Sequence, residues 1–162
     1  MNKIILVTGD RKGIGRKISE YYLSKGAKVV GCSRTGSELS NDNYLHVRCD
    51  VSDEVQVRNV VYKGLKKFGR IDVLINNAGI ASLNHSILTP SETVKRVFET
   101  NYFGTFYFSR EVSKIMMKNK FGRVINFSSV AVPLNLEGEM VYSSSKVAIE
   151  KMAKIMSKEL SK

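Results

Sequence analysis

Apolar positions along the chain switch between two spacings. Short runs of strand type, Lys3 to Thr8, Lys28 to Ser33, Tyr44 to Cys49, Val73 to Asn76 and Arg123 to Phe127, alternate with segments of helical period. That order predicts an α/β fold with a parallel sheet and crossover helices. The first helix, Gly13 to Lys25, carries Ile14, Ile18, Tyr21 and Tyr22 as one apolar stripe, and Gly26 ends it. Only ten residues, Arg34 to Asn43, join the second and third strands. A parallel crossover generally takes about a dozen or more, so no full helix is expected there.

A helix from Glu54 to Phe68 opens on Asp53 and Gln56 as a capping-box-like pair and should bury Val57, Val60, Val61, Leu65 and Phe68. The series Thr89, Pro90, Ser91, Glu92 reads as an N-cap, a proline at the first helical position and a capping-box glutamate, so a long helix is predicted from there. Its stripe includes Val94, Val97, Phe98, Tyr102 and Phe106. Asn101 falls inside that stripe, where an amide is costly unless hydrogen-bonded. A last helix spans about Glu139 to Ser161. No repeat or low-complexity linker interrupts the series, and the 162 residues read as a single domain, 1–162.

With 43% apolar and 9% aromatic residues, the chain is neither disordered nor collagen-like. No apolar run near the start exceeds Ile4 to Val7, which predicts neither a secretory leader nor a membrane span, and hence a cytoplasmic protein. The two cysteines, Cys32 and Cys49, form no C-x-x-C pair, are expected to be buried small hydrophobes, and no metal site is predicted. A formal net charge of +11 suggests an anionic partner. The excess concentrates before position 35, around the first loop of the fold. Nucleic acid is disfavoured because no aromatic-basic interleaving or reading motif accompanies the charge.

That first loop runs Thr8, Gly9, Asp10, Arg11, Lys12, Gly13, Ile14, Gly15 between a strand and a helix. Three glycines there permit a tight turn and let backbone N–H groups approach a pyrophosphate, while the helix N-terminus favours the anion. A glycine triplet alone would equally suit a plain turn, and its strand-to-helix context raises the phosphate reading. About 20 positions on, where an acidic residue would hold the ribose 2′-hydroxyl of NAD, the chain has Ser33 and Arg34. Arg34 with Lys12 could instead clamp a 2′-phosphate, which favours NADP(H) over NAD(H); two solvated surface cations are the plainer alternative.

Near the other end, Tyr142 and Lys146 stand four apart on one helical face. A phenol is a poor acid at neutral pH, and an ammonium beside it favours the phenolate, so the tyrosine can give a proton to a carbonyl oxygen as hydride reaches the carbon. Ser129, ahead of that pair and just past the fifth strand, could hydrogen-bond the same oxygen. Alone, the Tyr-x-x-x-Lys spacing would also suit an ordinary helix-surface pair.

Together, Thr8-Gly9 with Gly13 and Gly15, Asn76-Asn77-Ala78-Gly79, Asn101 with Gly104, Ser128-Ser129, and Tyr142 with Lys146 closely resemble the short-chain dehydrogenase/reductase family over nearly the whole chain. The resemblance implies a Rossmann-type doubly wound sheet of strand order 3-2-1-4-5. It also implies a catalytic tetrad of Asn101, Ser129, Tyr142 and Lys146, with Lys146 and Tyr142 also touching the cofactor. Asn101 would hold a water in the proton relay; a satisfied core amide is the alternative. Asp50 and Val51 would contact adenine, and Asn77, Ala78 and Gly79 would pass along the cofactor, joining Thr8, Gly9, Arg11, Lys12, Gly13, Ile14, Gly15, Ser33 and Arg34 in its cradle. Asn76 and Asn77 could equally bind the central sheet.

By the same resemblance, relatives continue past the Tyr142 helix into a sixth strand, a lid and a seventh strand, which the sequence ending at Lys162 lacks, so a bare edge is expected on the fifth strand. A homodimer through helices 91–118 and 139–161 is also implied. The leading reading is an NADP(H)-dependent oxidoreductase acting on a small carbonyl or alcohol substrate, with a carrier-bound 3-oxoacyl thioester as one candidate. The rival is a non-catalytic dinucleotide-binding or interaction protein.

Overall fold

The computed structural model describes residues 3–161. Five strands, β1 (Ile4–Thr8), β2 (Lys28–Ser33), β3 (Tyr44–Arg48), β4 (Val73–Asn76) and β5 (Arg123–Asn126), form one parallel sheet in the order β3-β2-β1-β4-β5. β1 lies in the middle and is buried along its whole length, as expected for a parallel strand covered on both faces. Its two faces feed two cores. Leu6 joins Val30, Val57, Val60, Leu74, Phe108 and Val112 on one side, and Ile5 and Val7 join Ala27, Val29 and Ile75 on the other.

Helix α1 (Gly13–Ser24) follows β1, and α2 (Glu54–Phe68) follows β3. The connection from β2 to β3 carries no helix, as its length requires. Asp53 caps α2 by accepting from the N–H groups of Val55 and Gln56. Gln56 answers through its side chain, giving to Asp53 Oδ2 and accepting from the Asp50 N–H, instead of reaching the backbone of the cap itself. Cys32 and Cys49 are buried and unpaired.

Three expectations need correction. The apolar stripe of α1 is only half used: Ile18 and Tyr22 pack on the core, while Ile14 and Tyr21 are exposed. The helix α3 (Ser91–Phe98) does not use Thr89 as its cap. Pro90 keeps an extended backbone, φ −64° and ψ 141°, so it is itself the cap residue, its carbonyl takes the Thr93 and Val94 N–H groups, and Glu92 closes no capping box. The Thr89 hydroxyl donates instead to the His85 carbonyl.

The third concerns the apolar stripe on either side of Asn101, of which only Val97 is fully buried. The long helix is continuous to Lys118 but passes through one π-helical stretch, Glu99–Phe103, before α4 (Gly104–Lys118). The wider turn shifts the buried face, so Phe108, Val112 and Met116 become the core side of α4. A short helix α5 (Ala131–Leu134) then leads to α6 (Met140–Leu160).

Candidate active site

β1 delivers the chain into a turn that only glycine can make at two positions. Gly9 has φ +70° and Gly13 φ +59°, both left-handed. A Cβ on Gly9 would stand 2.9 Å from the Ala78 Cα, and one on Gly15 would stand 2.4 Å from the Gly9 carbonyl oxygen. The end of β4 is stitched to this turn. The Thr8 hydroxyl oxygen accepts from the N–H groups of Asn77 and Ala78, each at 3.0 Å, and the Asn77 side-chain amide donates to the Thr8 and Gly9 carbonyls. Asn77 thus shapes the turn, and Asn76 ties β4 to α4 and β5 through Ser109 and Asn126.

Lys12, the cap position of α1, makes no side-chain cap bond, and the first turn of the helix holds no acidic residue. Its N–H groups therefore present their partial positive charge without a competing anion. Arg11, Lys12 and Arg34 are exposed around the same opening, and among the described residues none of the three is held in an ion pair.

This opening is a cleft of about 530 Å³. Of the residues expected to hold a cofactor, Gly9, Arg11, Lys12, Gly13, Ile14, Ser33, Arg34, Asp50, Val51, Asn77, Ala78 and Gly79 line it. Thr8 and Gly15 are buried behind it as framework. Thr35, Cys49, Ile80 and Thr100 line it as well and were not anticipated; Ile80 directly follows the Asn77-Ala78-Gly79 segment, which was the available signal. Asp50 fixes the loop after β3 by accepting from the N–H and hydroxyl of Ser52.

Of the four expected catalytic groups, Asn101 and Lys146 come together at Gly79 on the wall of this cleft, while Ser129 and Tyr142 do not line it. A Cβ on Gly79 would lie 3.3 Å from Asn101 Oδ1 and 3.7 Å from Lys146 Nζ. Lys146 is buried on α6 and donates to the Phe127 carbonyl at 2.9 Å; desolvation holds its ammonium below the ordinary lysine range. Its nitrogen stands 5.7 Å from the centre of the Tyr142 ring, one helical turn earlier. Ser129 Oγ accepts from the Ala131 N–H, which starts α5, and the Ser143 hydroxyl beside Tyr142 donates to the Ala131 carbonyl. α5 therefore ties Ser129 to the first turn of α6.

Asn101 is wholly buried and its side chain is fully engaged. Its amide oxygen accepts from Ile80 N–H at 2.8 Å, and its NH2 gives to the Ile80 carbonyl and to Ser145 Oγ. The π-helical stretch supplies this geometry, joining the cleft wall at Ile80 to α6 at Ser145.

A dinucleotide fits these residues on three counts: free N–H groups at a helix start, unneutralised cations around it, and glycines where side chains would close the space.

Comparison with known proteins agrees with the fold. The family model for short chain dehydrogenase matches residues 3–162. Over 164 residues the chain is 34% identical to 3-oxoacyl-(acyl-carrier-protein) reductase FabG of Escherichia coli, covering 98% of this chain and 67% of that protein. It is 33% identical to short chain aldehyde dehydrogenase 1 of Euphorbia lathyris, covering 58% of it. A crystal structure of a short-chain dehydrogenase from Streptomyces avermitilis superposes with a TM-score of 0.93 at 30% identity, covering 99% of this chain and 61% of that one. The chain thus spans about two thirds of the length of the proteins it matches.

Proposed function

The chain belongs to the short-chain dehydrogenase family, and from that premise we propose that it is an NADP(H)-dependent oxidoreductase acting on a carbonyl or alcohol carbon. The observation that carries the reading is the meeting of Lys146 and Asn101 at Gly79, which joins the Tyr142 helix to the wall of the phosphate-binding cleft. A bound nicotinamide dinucleotide would supply or accept the hydride. The remaining chemistry belongs to this chain.

Tyr142 gives its phenolic proton to the substrate carbonyl oxygen, and takes one back in the oxidative direction. Lys146, held by the Phe127 carbonyl, places positive charge near that ring and favours the phenolate that remains. Ser129 donates a hydrogen bond to the same carbonyl oxygen. Asn101 keeps Ile80 and Ser145 in register, so that the cleft wall and the Tyr142 helix stay aligned. The α1 N-terminus would hold the pyrophosphate, Asp50 and Val51 would border the adenine, and Arg34 with Lys12 would take the 2′-phosphate; all of these residues line or open the cleft.

A 3-oxoacyl thioester is the substrate class we favour, on the likeness to the 3-oxoacyl-(acyl-carrier-protein) reductase. The exposed cations Lys120 and Arg123 at the start of β5 offer an acidic carrier a landing site. A homodimer through 91–118 and 139–161 belongs to the same reading.

The test is NADPH oxidation with a 3-oxoacyl thioester, followed by absorbance, in the parent chain and in Tyr142→Phe. The variant should lose turnover by about 10²- to 10⁴-fold, while its NADPH affinity changes by less than about twofold. A variant as active as the parent, or a parent that binds NADPH and turns over no carbonyl, would favour a purely dinucleotide-binding role.

A further inference from the structure

The turn that would cradle the pyrophosphate carries a carboxylate that the proposed chemistry does not use. Asp10 is wholly buried beneath the cleft. Its Oδ2 accepts from the Tyr44 hydroxyl, and its Oδ1 has no hydrogen-bond partner among the described residues. That free oxygen lies 3.6 Å from His46 Nε2. The Asp10 side chain fits there because position 31 on β2 is glycine: a Cβ at that position would come within 1.6 Å of Asp10 Oδ2.

His46 connects Asp10 to the cleft. Its Nε2 is 2.9 Å from Ser33 Oγ, and Ser33 donates to the Thr35 carbonyl at 2.7 Å, so the serine oxygen is left to accept from the imidazole N–H. Ser33, Arg34 and Thr35 all line the cleft. A chain of groups thus runs from a buried acid with one empty oxygen, through an imidazole, to a hydroxyl at the end of β2.

Resting on the reading that this end of the cleft takes the adenosine ribose, we infer that His46, backed by Asp10 and acting through Ser33, is a specificity-determining residue that favours a cofactor bearing a 2′-phosphate. With such a cofactor, the Ser33 hydroxyl turns its proton from Thr35 to the phosphate while still accepting from His46. The imidazole takes one proton from solvent, and the unmatched oxygen of Asp10 receives the resulting positive charge. A 2′-hydroxyl can take the serine hydrogen bond but brings no charge to stabilise the imidazolium.

The groups facing His46 set the direction. Burial holds its imidazole below the ordinary histidine range, Asp10 from the turn opposes that, and Arg48 from its own strand adds to it; Tyr44 on β3 and Ser33 on β2 face it as neutral groups. Burial likewise raises the Asp10 carboxyl. The ring is therefore poised to gain a proton when an anion arrives within about 4–6 Å.

The chain has two histidines, and His85 is exposed, which makes proton NMR of the imidazole resonances a direct reading with an internal control. Titrated with pH, the unmodified protein saturated with NADP+ should show the His46 midpoint raised by about one unit, equal to about a tenfold change in proton affinity. NAD+ should leave it in place, and His85 should not move with either. In parallel, Asp10→Asn and His46→Gln should each lower the preference for NADPH over NADH at pH 6 by about fivefold to tenfold. A His46 midpoint equal with NADP+ and NAD+ would overturn the inference while leaving the proposed function intact. Amide resonances from Gly9 to Gly15 that respond to neither dinucleotide would overturn the proposed function, and this inference with it.

Discussion

Helix α1 forms a wall of two clefts, and the proposed chemistry lies in the smaller one. On one side of α1 is the opening of about 530 Å³ described above; on the other is a groove of about 840 Å³ floored by Ile75, Ile125 and Phe127 and flanked by Ile18, Tyr21 and Tyr22. The groove has charges of its own, but they are satisfied locally: Arg16 pairs with Glu20 and Glu38, and Lys17 with Glu20. In the smaller cleft, among the described residues, the cations stand unpaired and the helix N–H groups uncapped by a side chain, and the buried Lys146 reaches Gly79. Size alone would choose the other side of the helix. Unspent charge and uncapped backbone are what favour the smaller cleft as the proposed site.

The contrast is broken most severely at Gly15, which separates the turn from Asn77. Gly15→Ala forces a methyl to within 2.4 Å of a backbone oxygen that cannot swing away. It should cost about 2 kcal/mol in urea unfolding and weaken NADPH binding more than about tenfold. A parent-like affinity would mean that the turn is not the phosphate cradle. Arg34→Ala should reduce NADPH affinity by about tenfold, the worth of one charge-assisted contact, and leave NADH affinity within about twofold. Equal losses for both cofactors would show that Arg34 does not read the 2′-position.

A smaller effect is expected at Asp10. Its carboxyl is raised in the folded state, so between the ordinary value of 3.8 and the raised one the folded chain holds a proton that the unfolded chain has lost. The group's favourable contribution is complete below 3.8 and is lost as pH climbs through the raised value. Asp10→Asn keeps an acceptor for Tyr44 and removes the buried charge. It should therefore be more stable than the parent by about 1 kcal/mol at pH 7, with the gap closing in acid; a gap that widens in acid would contradict this. Smallest of all, Ile125→Ser in the apolar groove, at a half-exposed position, should change stability by less than about 1 kcal/mol and NADPH affinity not at all.

How much of this was legible in the sequence follows from how local each cause is. β2, α2 and β4 begin and end where the apolar pattern places them, because their signals, a period and for α2 a cap at Asp53, lie within a few residues. The cradle at Gly9 to Gly15 is equally local, being a property of the backbone. What escaped depends on distance. Nothing near Asp10 announces burial, since its partner Tyr44 is 34 positions away and the space it fills is granted by Gly31. The π-helical stretch at Asn101 answers to Ile80 and Ser145, each more than a turn of helix away in sequence, and so left only the trace of an amide in an apolar stripe. The Pro90 cap was misread because a proline fits both the cap and the first helical position, and ψ alone separates them.

On the proposed function, the uncapped, cationic side of α1 holds a dinucleotide and prefers the one with a 2′-phosphate. Fluorescence titration of the purified chain with NADPH and NADH tests it most directly. Saturable NADPH binding at least about tenfold tighter than NADH, displaced by rising salt, is the result this account predicts. Equal affinity for the two would remove Arg34 and Lys12 from their assigned role, and no binding of either would contradict the account as a whole.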